Sequence, residues 1–125
     1  MPAKLEKYFD LRNVYYQAHR AAMEICVKIV PHLPESEEEL IDILLTSAEA
    51  IPRLIVEGYA QKDNRSGLWV DRALDLANEM VVGLELVKEH YPQRVDARVC
   101  QKLIRIYKNA GGRIHRLAKV WNRLV

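Results

Sequence analysis

Nine basic residues crowd the last quarter of this chain: Arg94, Arg98, Lys102, Arg105, Lys108, Arg113, Arg116, Lys119 and Arg123, against the single acid Asp96. That segment carries +8, the 93 residues before it −6, and the whole chain +2. So uneven a charge speaks to partners and assembly more than to fold. The spacing is helical. Arg98, Arg105 and Lys119 share one heptad position, Lys102, Arg116 and Arg123 the next, and Lys108 and His115 a third. The cations therefore form a stripe along a helix of about 40 Å. Arg113 stands apart, beside the apolar seam. A single-sign stripe suits phosphate, in sequence-independent and salt-sensitive binding to RNA or DNA. Arg98, Lys102, Arg105, Arg116, Lys119 and Arg123 are the expected contacts, with Lys108 and Arg113 in support. The competing reading is a solvated face neutralised by acids such as Glu35, Glu37, Glu38 and Glu39. No aromatic interleaves with these cations as an exposed stacking platform.

Catalytic chemistry finds less to work with. None of His19, His32, His90 or His115 has a glutamate three residues before it, which argues against the Glu-x-x-His pairs of di-iron bundles. Serine occurs only at 36, 47 and 66, and no nucleophile-elbow, P-loop or dinucleotide glycine pattern is present. Glu57, one turn past Pro52 and beside Gly58, is the acid closest to an unusual setting, but one carboxylate defines no reaction. The expectation is a non-enzyme without cofactor or metal. Cys26 and Cys100 lack zinc-ligand or redox spacing and are expected to be buried small hydrophobes.

A chain of 125 residues, half of them hydrophobic, suits one domain spanning 1–125. No apolar run approaches the roughly 20 residues that span a bilayer, and the opening MPAKLEKYFD lacks the apolar stretch of a secretory signal. The expected location is the cytoplasm, with no membrane partner.

The elements that must carry the stripe follow from sparse punctuation. Pro31-His32-Leu33-Pro34, the stretch 62–67 and Tyr91-Pro92-Gln93 separate four segments without strand-like alternation. Helices are predicted at about 11–31, 36–61, 67–90 and 96–124. Leu11, Tyr15, Ala18, Ala22, Ile25 and Ile29 give the first seam. Leu40, Ile43, Ser47, Ile51, Leu54 and Gly58 give the second, behind a capping box at Ser36 and Glu39. Trp69, Ala73, Leu76, Met80, Leu84 and Val87 give the third. An all-α, antiparallel up-and-down four-helix bundle is the economical fold. Pro52 is expected to kink or briefly break the second helix, either wrapping it round its neighbours or opening a recess at a freed carbonyl. Gly111-Gly112 suggests close backbone approach to another helix, or else a hinge or a contact with a nucleic-acid backbone.

The fourth helix is apolar at four heptad positions. Cys100, Tyr107, Ile114 and Trp121 occupy one and Leu103, Ala110, Leu117 and Leu124 the next, flanked by Val99, Ile106 and Val120 and by Ile104, Gly111, Ala118 and Val125. One bundle core needs about three of seven. The excess predicts a second buried surface, most simply another copy of the chain, or else a deeply embedded helix. Were copies to meet with this helix inward, the stripe would line a positive channel.

The segments YFDLRNVYYQAHRAAMEI, LPESEEEL, AIPRLIVEGYAQK and ALDLANEMVVGLEL resemble the four-helix-bundle proteins encoded in intervening sequences of bacterial 23S ribosomal RNA genes. The resemblance runs from about Phe9 to Tyr91. Its most specific element is the block Ile51, Pro52, Ile55, Glu57, Gly58; Ala50, Leu54 and Val56 depart from that family's Ser, Asn and Ala. The resemblance implies a homopentamer of bundles. The ending GRIHRLAKVWNRL is similar to the basic last helix of accessory variability determinant proteins of diversity-generating retroelements, which implies nucleic-acid binding and a reverse transcriptase as partner.

Overall fold

Among the described residues the chain forms four α-helices and no strand: α1 (Ala3–Glu24), α2 (Glu38–Ala60), α3 (Ser66–His90) and α4 (Ala97–Leu124). The computed structural model describes the backbone of residues 3–60 and 66–124 and the side chains of 12–60 and 69–116. None of the described helices is long and apolar enough to cross a membrane.

The breaks read at Pro31–Pro34 and Tyr91–Gln93 fall between α-helices, with local chemistry that periodicity did not reveal, while most of the stretch 62–67 lies outside the described residues. α1 begins at Ala3, eight positions before the expected start. Its end widens into a π-helical turn, Ile25–Ile29, closed by the Val30 N–H donating to the Ile25 carbonyl. A 3₁₀ turn follows over Val30–His32, and Leu33, held extended ahead of Pro34 at φ −82° and ψ 147°, turns inward to cap the core. α2 starts later than the capping box predicts. The Ile41 N–H donates to the Glu37 carbonyl, so Glu37 and not Ser36 stands at the helix entrance. At α4 the Asp96 carboxylate accepts the Arg98 backbone N–H at 2.8 Å, a normal N-cap.

α1 packs on α2 and α4, and α3 packs more extensively on the same two helices. The core between them is almost wholly apolar: Val14, Ala18, Ala21, Ile25 and Ile29 from the first arm, Leu44, Ile51 and Leu54 from α2, Ala73, Met80 and Leu84 from α3, and Leu103, Ile104 and Tyr107 from α4. Not every expected seam residue is closed off: Ala22 and Trp69 are half-buried, and Leu11 lies outside the described side chains. Ile43 is exposed while Leu44 turns inward, and Tyr15 is only half-buried while Val14 is closed off. Leu117, Trp121 and Leu124 fall outside the described side chains. Tyr107 is buried with its hydroxyl unpartnered among the described residues, and burial raises its ionisation well above the usual phenol range.

Pro52 does not break α2, which runs through it unbroken, with the ring buried. The Ala48 carbonyl, which would meet an amide there, has lost that donor. The expectation of close backbone approach at Gly111-Gly112 is also corrected. A Cβ at Gly111 would reach only Leu74 Cδ2 at 4.0 Å, and among the described residues nothing lies within 4 Å of one at Gly112. The tight contact is at Gly83, whose Cβ would meet Leu44 Cδ2 at 3.1 Å, bringing α3 close against α2. Gly112→Ala is therefore expected to stabilise the fold by up to about 1 kcal/mol through helix propensity. Urea unfolding checks this; a lower midpoint would contradict it.

Candidate nucleic-acid interface

The stripe divides into a paired start and an unpaired middle. Arg98 donates from Nη2 to Asp96 Oδ2 at 3.1 Å, although its side chain is 92 % exposed. Lys102 reaches across to Glu24 on α1 at 3.3 Å, sharing that carboxylate with Lys28 at 3.1 Å. Arg105, Lys108 and Arg116 are exposed and, among the described residues, make no ion pair. Lys119 and Arg123 lie on α4, but their side chains are outside the described residues. The acids expected to neutralise the stripe do not reach it: Glu35, Glu37, Glu38 and Glu39 make no ion pair among the described residues, and Glu37 instead accepts the Tyr91 hydroxyl. Tyr91 is held harder to ionise by that bond.

Burial works to raise the Glu24 carboxyl, but hydrogen bonds from Lys28 and Lys102 outweigh it and hold the group below its ordinary 4.5. Asp96 is lowered by the Arg98 side chain and backbone N–H, against a smaller effect of burial. A lowered folded pKa gives stability that is complete above the ordinary carboxylate range and is lost as pH falls through the folded value. Glu24→Gln is thus expected to lower the urea midpoint at about pH 7 and to differ less from wild type at about pH 3. A difference that stays constant with pH would contradict the pairing.

Arg113 is half-buried and faces α1, where it lines a recess of about 550 Å³ with Asn13, Tyr16, Gln17 and Arg20. Tyr16 is 49 % exposed, and the Arg12 guanidinium lies 5.6 Å from its ring centroid. Sequence reasoning on α4 missed Arg12, Tyr16 and Arg20. They repeat at intervals of four on α1, a spacing that marks one helix face.

A second feature lies between α1 and α2. A groove of about 750 Å³ is lined by Tyr15, Met23, Cys26, Val27, Leu45, Pro52 and Val56, with Glu57 at its edge. Val27 is 66 % exposed and Val56 52 %. Cys26 is corrected from buried to exposed: it sits in the π turn, which points Ile25 and Ile29 inward and leaves Cys26 and Val27 outside. Cys100 is buried, and burial raises its thiol pKa. Glu57 accepts from Arg53 at 3.3 Å through one oxygen, while the other is buried and, among the described residues, has no partner. Another apolar patch, Ile43, Val82 and Leu86, is exposed on α2 and α3. On the apolar flank of α4, Ile104 is fully buried within the chain and Val99 and Ile106 are half-buried, while Ala118, Val120 and Val125 lie outside the described side chains. Among the described residues no His, Cys, Asp and Glu side chains gather into a metal-binding group, and His115 is exposed on α4.

No protein family, curated protein or solved structure matches the chain.

Proposed function

We propose that the protein is a non-catalytic, homo-oligomeric accessory factor that binds RNA or DNA through the phosphates, using the exposed cations of α4. The observation that carries this reading is that Arg105, Lys108 and Arg116 stand exposed and without ion pairs among the described residues, Glu35, Glu37, Glu38 and Glu39 included. Arg113, Lys119 and Arg123 extend the same helix. Arg98 and Lys102 have carboxylate partners and contribute less, since a phosphate must first compete with Asp96 and Glu24.

The fold that supports this is an antiparallel up-and-down bundle. Glu24, at the end of α1, meets Lys102 near the start of α4, and Asn13, well back along α1, shares a recess with Arg113 well forward along α4. Self-assembly draws on the two apolar patches, the α1–α2 groove and the Ile43–Val82–Leu86 surface. Two different patches on one chain suit a head-to-tail contact, which closes into a ring when the rotation allows. A homopentamer is the ring implied by the resemblance to proteins encoded in 23S ribosomal RNA intervening sequences. A cytoplasmic location and a reverse-transcriptase partner belong to the same reading. The competing reading, a structural oligomer without nucleic acid, draws on the Arg98 and Lys102 pairs alone.

Gel-shift titration of labelled RNA and DNA at low salt, on protein whose mass in solution is fixed by light scattering, tests the proposal. Retardation of both by an assembled oligomer is expected; an assembled oligomer that shifts neither would favour the structural reading.

A further inference from the structure

The geometry points to the α1–α4 recess as a nucleotide site that takes a phosphate and an unpaired base of a single-stranded nucleic acid. It rests on the proposed nucleic-acid binding and adds the strandedness of the ligand. Four observations meet there. Among the described residues, the recess presents two guanidiniums, Arg20 and Arg113, and no carboxylate. Neither arginine makes an ion pair among the described residues, so both can give forked hydrogen bonds to a phosphate. Tyr16, in the wall, keeps about half its surface open, and an aromatic ring at a basic groove is the usual platform for an unpaired base. Among the described residues the buried Gln17 Oε1 atom has no partner, an acceptor that the amino or imino N–H of a base edge would satisfy.

Position joins the recess to the rest of α4. Arg116 follows Arg113 by three residues and so lies one turn further along, with Lys108 and Arg105 on the preceding turns. A strand whose phosphates track these cations passes the mouth of the recess and can turn a base toward Tyr16. A duplex keeps its bases stacked inside and offers no face to that ring. The ligand chemistry is therefore a single strand, in which base stacking adds to the phosphate contacts.

The test is fluorescence anisotropy of the full chain with short oligoadenylate and with a duplex of equal length, on wild type, Tyr16→Ala and Tyr16→Phe. Tyr16→Ala is expected to weaken the single strand about tenfold with an unchanged salt slope, and to leave duplex binding alone. Tyr16→Phe, which keeps the ring, should restore single-strand binding. Equal single-strand binding by Tyr16→Ala and wild type, or equal weakening of strand and duplex, would overturn the inference. If Tyr16→Ala changes nothing while loss of Arg105, Lys108 and Arg116 weakens both ligands, the recess falls and nucleic-acid binding stands. If wild type binds neither ligand, both fall together.

Discussion

Replacing Arg105, Lys108 and Arg116 together by glutamine is expected to lower affinity for RNA and DNA by about two to three decades near 0.1 M salt. Each phosphate contact releases close to one counterion, so each lost cation removes about 0.7–0.9 from the slope of log affinity against log salt. The loss should be alike for every sequence, because a guanidinium or ammonium on phosphate reads no base. The fold should survive, since all three side chains are exposed and form no ion pair among the described residues. Arg98→Gln should cost less, because Asp96 already holds part of that charge. Equal losses for Arg98→Gln and Arg105→Gln would mean that the Asp96 pair does not persist when phosphate is bound.

Val27→Glu and Val82→Glu, made separately, are each expected to leave single chains in solution. Val27 lies in the α1–α2 groove and Val82 on the separate α3 patch, 66 % and 60 % exposed in the isolated chain. A carboxylate buried unpaired at a subunit contact costs several kcal/mol, enough to dissolve a standard interface. Mixing the two variants distinguishes the kind of contact. In a head-to-tail ring each variant keeps one intact patch, so the mixture should form a dimer and stop there. In a two-fold contact using one patch alone, only one substitution would matter. Light scattering on each variant and on the mixture reads the outcome.

The helices were legible because prolines and glycines mark their ends and long apolar seams fix their type. Met80, Leu84, Leu103 and Tyr107 lie in the core for that reason. What escaped the seams was local hydrogen bonding. The seam placed Ile25 and Ile29 inward, as they are, while Cys26 was expected inside on its residue type alone and stands exposed beside them in the π turn. Of the extra apolar width of α4, Ile104 is buried within its own chain and Val99 and Ile106 are half-buried, while among the described residues exposed apolar side chains stand at Met23, Val27, Val56 and Val82. The charge stripe itself could be read from one helix. Its pairing could not, because Glu24 is 78 residues from Lys102 and only folding brings them together. The recess of Tyr16, Gln17 and Arg113 escaped for the same reason: its residues belong to two helices at opposite ends of the chain.

The measurement that bears most directly on the α4 cations is the affinity of the assembled wild-type protein for one short RNA across a salt series, followed by anisotropy. Binding that weakens steeply, with log affinity falling against log salt at a slope of about −2 or steeper, is the expected result. A flat dependence, or no binding at the lowest salt, would contradict it and leave the positive face of α4 to the assembly itself.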